Sequence, residues 1–532
     1  MASAYGWLSL VPPIVAITMA IKTRRPISSL LAGVFVGYCI YVWFAPDKTM
    51  LAVANPVLGP FYETIAALLD SFADPESVTL FAFIAILGGI VQILVVAGGA
   101  EAFASWSEAR IHSRRSAQLA TFGMGISILI DDYFNALTVG NVMRPITDRL
   151  HISRAKLAYN IDSTSAPDTI LFPMSSWVAT CVLLISPLLE RYGFPESGLP
   201  AFLKTIPYNY YSWLTLLFVI LVSWWDINIG PMAEYERAAR EGHDSTRHET
   251  VDEYAGRAAT NKAQALDLMA PMLVLAFLAV FFMLGTGGIF EGASAVEAMQ
   301  NANSTLALVY AGVATLVFVY VLYIPRGLMT VDEFGEAFMA GLKDMIDAMA
   351  MLLLAWTVSK VMGDEVLSTG PFVASLVPTT TPPVLLPLTI FIATGAIAFT
   401  TGVSWGAMAI MIPPAIAICA RVAPETISMV LGGVFAGVIF GDHCSPLSDT
   451  TILSSTGAGC NHIDHVRSQL PYALVSGAVA CVAFVFVALV RNPWAGLAFG
   501  LCAMWAVAYL LHRYCDRAEA TWREAHDIVD TP

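Results

Sequence analysis

Long apolar runs separated by short polar breaks make up most of the chain. They are Gly6–Ile21, Ile27–Phe44, Val78–Gly98, Ala117–Ile130, Thr169–Leu189, Ser212–Trp225, Leu268–Leu284, Ser304–Tyr323, Met345–Met362, Val384–Phe399, Met408–Ala420, Ile427–Phe440, Leu474–Val490 and Trp494–Leu511. The runs are continuous rather than alternating, which excludes an outer-membrane barrel. A membrane-spanning helix needs about 20 residues, so the pattern predicts about 11–13 transmembrane segments. Some runs are too short for a full span. These cluster around Asp131–Asp132, Ser165–Pro167, Gly402–Trp405 and Ser445–Ser448. Short, polar-interrupted segments at corresponding places in two halves point to a transporter site.

Composition narrows the class. Of 532 residues, 57% are hydrophobic and 13% charged, with a mean hydropathy of +0.68. Soluble proteins carry about 25% charged residues. A soluble chain of this length has no way to bury so much apolar surface. The fold class is therefore an all-α polytopic membrane protein, and the reading is not an enzyme. A formal charge of −14 argues against nucleic acid as a partner. The eight cysteines include no CxxC pair, so neither zinc nor redox chemistry is signalled. No basic segment precedes the first apolar run, so no cleaved signal peptide is expected.

Lys and Arg set the expected orientation. Two short pairs of runs, near 117–147 and near 384–417, read as re-entrant hairpins. With Lys22–Arg25 taken as cytoplasmic, twenty of the 27 basic residues then fall in cytoplasmic segments and five outside, with Arg144 and Lys360 inside the membrane. This predicts an inner (cytoplasmic) membrane protein with its N-terminus outside and its C-terminus in the cytoplasm. The organisation expected is an N-terminal repeat over 1–226, a hydrophilic cytoplasmic linker over 227–266, an inverted C-terminal repeat over 267–492, and a last helix with a tail over 493–532. A shift of 269 residues sets Asp132 on Thr401 and Asn135 on Ser404. A shift of 280 sets Asp162 on Asp442 and Ser165 on Ser445.

Four polar patches lie in the apolar background. The first is Asp131-Asp132-Tyr133-Phe134-Asn135. The second runs from Asp162 through Ser163, Thr164, Ser165 and Pro167 to Asp168 and Thr169. The third holds Thr401, Gly402, Ser404 and Trp405. The fourth runs from Gly441 and Asp442 through His443, Cys444, Ser445, Pro446 and Ser448 to Asp449, Thr450 and Thr451. A carboxylate near the bilayer centre costs about 2.5–3.5 kcal/mol even on the lenient scale, so such residues are usually partnered and functional. Carboxylates, hydroxyls and freed carbonyls suit a small hard cation. Pro167 and Pro446 are expected to unwind their helices. A desolvated carboxylate also takes a proton when the cation leaves, so Na⁺ and H⁺ would compete for one aspartate. Asp131 and Asp132 cannot share a helix face. Asp132 is the expected site residue, and Asp131 is expected to pair elsewhere, with Arg144 as its candidate. Capping is the plain alternative for any single aspartate.

The fourth patch resembles the signature of NhaC-type sodium/proton antiporters, G-D-x-x-S-P-x-S-D-T-T. Asp131-Asp132-Tyr133, Met143-Arg144-Pro145, Ser153-Arg154-Ala155-Lys156-Leu157-Ala158-Tyr159, Asp162-Ser163-Thr164-Ser165-Ala166-Pro167 and Thr401-Gly402-Val403-Ser404-Trp405-Gly406 are similar to further motifs of that family. The resemblance implies Na⁺/H⁺ antiport by an elevator-like, homodimeric transporter with two inverted repeats. The first and third patches would be hairpin tips, and the second and fourth unwound helices. Asp132, Asp162, Asp442 and Asp449 would hold Na⁺. Asn135, Ser163, Thr164, Ser165, Thr401, Ser404, Trp405, Ser445, Ser448 and Thr450 would complete the ion or substrate site. No cofactor is implied beyond the transported Na⁺ and H⁺. Since such families include exchangers of organic and amino acids, a small organic solute is the alternative cargo. An intramembrane aspartyl protease needs G-x-G-D, whereas this chain reads Ile439-Phe440-Gly441-Asp442.

Overall fold

The computed structural model describes residues 5–23, 25–44, 55–99, 102–103, 106, 111–128, 132–172, 175–195, 198–247, 263–363, 365–369, 372, 375 and 382–525. Asp131 lies outside them, as does its expected pairing. Among the described residues the chain is helical, with no strand. The helices around the site are α1 (Arg114–Ser127), α2 (Asp132–Arg149), α3 (Arg154–Leu171), α4 (Ser176–Arg191), α5 (Tyr210–Trp225), α6 (Pro231–Arg240), α7 (Leu386–Thr401), α8 (Ser404–Val422), α9 (Ile427–Cys444), α10 (Asp449–Ala458), α11 (His462–Val490) and α12 (Pro493–Ala525).

Nine helices among the described residues are long and apolar enough to cross a membrane. A further candidate is α5 with Gly198–Tyr208, a pair bent by 51°. The shorter apolar helices Gly6–Met19 and Met349–Met362 add to these. The remaining runs, Ala117–Ile130 and Thr169–Leu189, fall largely on the shorter helices α1 and α4. Every residue of α3 is buried. It packs against α1, α2, α5, α10 and α11. Helices α2 and α10, from opposite halves of the chain, also pack on each other. The lipid-facing surface lies elsewhere, on side chains such as Leu273, Phe277, Val317, Val321 and Leu510.

Local chemistry sets the element ends. Ser113 and Ser116 cap α1 reciprocally, Ser153 caps α3, Ser448 caps α10 and Asn461 caps α11. Gly402 turns the chain between α7 and α8 at φ 67°, a conformation that favours glycine. Pro446 stands in the break between α9 and α10, as expected. Pro167 does not unwind its helix: α3 runs unbroken from Arg154 to Leu171. A proline removes one hydrogen bond, and a helix enclosed on all sides is held by packing rather than by its own ladder. The chain next leaves the helix at Phe172, one turn beyond Pro167.

The α2–α10 crossing depends on two glycines. A Cβ on Gly140 would collide with the Gly457 backbone, and one on Gly457 would sit 2.6 Å from the Ala136 carbonyl oxygen. Gly140→Val is therefore expected to destabilise the protein by about 1–3 kcal/mol. Gly123→Ala, at a position with open space around it, is the neutral control. Thermal unfolding in detergent checks both. Equal melting of the Gly140 variant and wild type would mean that the helices do not approach this closely.

The segment after α5, hydrophilic in sequence, is docked rather than free. Met232, Glu236 and Thr246 are buried. Glu236 bonds Arg114 and accepts from the Ser153 amide at 2.8 Å. Lys156 donates to the Ile227 carbonyl and the Asn228 side chain, both at 2.8 Å. Tyr235 donates to Asp464 at 2.8 Å, and the Asn461 amide to the Thr246 carbonyl at 2.7 Å. The segment thus straps the ends of α1, α3 and α11 together. It gathers Arg114, Arg154, Lys156, Arg240 and Arg247 at one end of the molecule. These were read from the sequence as lying on one side of the membrane.

Asp226 anchors this strap. Burial pushes its carboxyl up, but Lys156, Arg114 and Arg240 outweigh burial and bring it down to about 2. A folded-state value below the unfolded one, about 3.9, gives stability that is present above about pH 4 and lost as pH falls toward 2. Asp226 has φ 50°, which asparagine also tolerates. Asp226→Asn is therefore expected to flatten the loss of melting temperature between about pH 4 and 2. An unchanged acid profile would contradict this account.

Candidate functional site

The site forms where the α7–α8 turn meets the break between α9 and α10. Ser445 is the joint: its hydroxyl donates to the Phe399 carbonyl at 2.8 Å and accepts from the Leu447 amide at 3.2 Å. A Cβ on Gly402 would collide with Leu447, so the turn can lie on the break only with glycine there. This closeness positions Ser404, at the start of α8, to donate to Asp442 Oδ1 at 3.0 Å. Thr450 bonds the other oxygen, Oδ2. Ser448 caps α10 through the Thr451 amide at 3.1 Å, and its hydroxyl lies 2.9 Å from that of Thr450.

Asp449 opens α10. Its carboxylate accepts from the Tyr133 hydroxyl at 2.6 Å and from the Thr450 amide at 2.9 Å. Tyr133 stands at the start of α2, so the first patch reaches the fourth. Asp442, Asp449, Ser404, Ser448 and Thr450 are all buried. Among the described residues, both oxygens of Asp442 take donors from neutral hydroxyls only.

The other predicted residues take several positions. Asp132 is buried at the start of α2, with its charge bearing on Asp168. Asp168 accepts from Thr169 at 3.1 Å, and its second oxygen is buried with no partner among the described residues. Asn135 donates to the Gly125 and Ile128 carbonyls, both at 2.9 Å, and so closes the end of α1 against α2. Thr164 donates to Asn160 O at 2.6 Å, Ser165 to Asp162 O at 3.4 Å and Thr401 to Ile397 O at 2.9 Å. These hydroxyls spend their hydrogen on their own helix. Ser163 is buried beside Tyr159. Trp405 is half-buried against Trp177, ring centres 4.5 Å apart.

Asp162 stands in a different setting. Its carboxylate accepts from Thr451 at 3.0 Å, Ser454 at 3.2 Å and Gln469 at 2.5 Å, with His465 Nε2 at 3.2 Å. His443 meets the Tyr211 hydroxyl at 3.0 Å through Nδ1. Among the described residues no group of three or more His, Cys, Asp or Glu is disposed to hold a metal ion. The four candidate aspartates do not close into one cage: Asp442 and Asp449 share the break, Asp132 opens the neighbouring helix, and Asp162 has its own donors. Tyr133, Ser454, His465 and Gln469 were not picked out from the sequence as site residues. A signal for two of them was there. His462, His465 and Gln469 fall at i, i+3 and i+7, one face of a helix.

A multi-pass helical bundle with buried carboxylates and hydroxyls at a helix break, and turns from both halves leaning on it, defines a membrane transporter. The family model described as the Na⁺/H⁺ antiporter family matches residues 169–489, and the chain belongs to that family. It is thus a secondary transporter of the antiporter kind, not an enzyme. It is 36% identical to an uncharacterised Haemophilus influenzae protein over 501 residues, 92% of each chain. Shorter matches are to an uncharacterised Na⁺/H⁺ antiporter of Haemophilus influenzae and to the arginine/ornithine antiporter ArcD of Halobacterium salinarum. The first is 33% identical over 107 residues, 19% of this chain and 22% of the relative. The second is 34% identical over 61 residues, 12% and 13%.

Proposed function

We propose that the chain exchanges Na⁺ for H⁺ across the cytoplasmic membrane by alternating access. Asp442 and Asp449 supply the charge for the cation. Ser404, Ser448 and Thr450 supply hydroxyl oxygens, and the break Ser445–Ser448 supplies backbone carbonyls. Oxygen ligands of these kinds are what a hard cation takes. Asp132 lines the approach from the first hairpin, and Asn135 keeps that hairpin closed. One observation carries the reading: Asp442 is fully buried in an apolar bundle, yet its bonding partners are neutral hydroxyls, so a cation is the missing counter-charge.

In this reading α2, α3 and α9–α11 move as an elevator against the outer helices, within a homodimer. The basic strap end faces the cytoplasm, and the N-terminus lies outside. The test is a pH-gradient assay in everted vesicles. Na⁺ is expected to dissipate the gradient, with Li⁺ and K⁺ reporting selectivity. No response to any of the three at any pH between about 6 and 9 would overturn the reading. A second reading, exchange of a small organic or amino acid, draws on the short match to an arginine/ornithine antiporter. Cation-dependent counterflow of a labelled amino or hydroxy acid separates the two.

A further inference from the structure

The antiport reading leaves open where the proton sits, and the donors around Asp162 bear on this. A carboxylate offers about four acceptor positions. Thr451, Gln469 and His465 crowd onto Oδ2, and Ser454 addresses Oδ1. Gln469 Nε2 also donates to the His443 carbonyl at 3.1 Å, which fixes the amide with its nitrogen toward both acceptors. A carboxylate so supplied has its Oδ2 filled and offers a cation part of Oδ1 alone. Three of its four partners are neutral, and only the imidazole of His465 can bring a positive charge. Asp162 and His465 are both fully buried. Nearby, His465 Nδ1, Gln469 Oε1 and His443 Nε2 are buried with no partner among the described residues, so the cluster has unused capacity to take or pass a proton.

We propose that the Asp162–His465 pair carries the exchanged proton, and that the cation binds apart from it at Asp442 and Asp449. This rests on the antiport reading and replaces competition for one aspartate with two linked sites. The link is α10. Thr450 bonds Asp442 and the adjacent Thr451 bonds Asp162, so one short helix holds both carboxylates. Asp442 and Asp162 bear on each other electrostatically, so a cation at Asp442 adds positive charge beside the pair and weakens its hold on the proton. The proton then leaves His465 Nε2 or Nδ1, and Asp162 stays a carboxylate held by neutral donors. One positive charge enters as one leaves.

Other ionisable groups bear on the pair: Tyr211 on α5, Asp442 and His443 on α9, and His462 on α11 itself. None of them forms an ion pair with Asp162 or His465 among the described residues.

The test uses purified full-length protein in detergent and a pH dye. Na⁺ added to wild type is expected to release protons. In His465→Gln, where an amide can still donate to Asp162, Na⁺ binding should persist within about threefold, while proton release falls at least about tenfold. The dependence of Na⁺ affinity on pH should also flatten across about pH 6–9. Should the variant fail to fold, nitrogen-15 histidine spectra of wild type decide: Na⁺ must convert one imidazolium signal to neutral imidazole. Proton release and pH dependence that survive His465→Gln, or histidine spectra indifferent to Na⁺, overturn the proposal. No proton release from wild type with Na⁺, Li⁺ or K⁺ sinks the antiport reading instead.

Discussion

Replacing Asp442 with asparagine is expected to abolish exchange while leaving the protein folded and at least as stable as wild type. Asparagine matches the aspartate in shape, and its carbonyl oxygen can still accept from Ser404 or Thr450. What it removes is charge. At an ion-contact distance of about 2.4 Å, one unit charge is worth about 7 kcal/mol at an effective dielectric of 20. Even a third of that exceeds the 1.4 kcal/mol of a tenfold change in affinity. Cation binding should thus weaken by well over tenfold. Stability should move the other way, because the variant no longer buries a carboxylate among neutral donors. The measurements are Na⁺-driven proton flux in proteoliposomes and thermal unfolding with and without Na⁺. Wild type should melt at higher temperature with Na⁺, and the variant should show no shift. An active Asp442→Asn protein would remove the aspartate from the cation site. A variant that fails to fold would give Asp442 a structural role.

How far this site was legible in the sequence depends on what kind of signal each residue carries. The fourth patch stands out because charge and hydroxyls interrupt an apolar run, and its helix break follows from Pro446. The turn at Gly402 is likewise local, and local chemistry reads well. Pro167 misleads, since a proline reports only on its own hydrogen bond. Whether the helix yields depends on the neighbours that enclose α3. The pairing of the strap is hidden from the sequence for a similar reason. Its acids and bases look like a solvated linker, yet Asp226, Glu236 and Asp244 meet Arg114, Lys156 and the first turn of α3 some 70 to 120 residues away in the chain. No periodicity records such pairing. Asp162 shows the limit most clearly. Its donors come from α10 and α11, which the first half of the chain cannot foretell.

The second large effect is expected at the base of this assembly, where Arg154 is almost fully buried. Its guanidinium makes a two-pronged bond to Asp148, Nε to Oδ1 and Nη2 to Oδ2, both at 2.6 Å. Nη1 donates to the carbonyls of Ala458 at 3.1 Å and Gly459 at 3.4 Å, which end α10. The Arg154 amide donates to Asp244 of the strap at 2.8 Å. One residue thus joins α2, α3, α10 and the strap. Asp148→Ala leaves a buried guanidinium with no carboxylate on its fork, and breaking such a pair costs about 3–5 kcal/mol. Arg154→Lys is not conservative here, because a point charge cannot replace the planar fork and also reach two carbonyls. Both variants are expected to unfold at lower temperature and to be cleaved faster by protease. In the double variant Asp148→Leu, Arg154→Leu, stability should partly return, since no charge is left buried alone. Transport should not return with it. If α2, α3 and α10 move together as the carrier of both carboxylates, a restored core without the guanidinium still leaves α10 free to shift against α3. Full recovery of flux in the double variant would show that Arg154 secures the fold alone and takes no part in joining the moving helices.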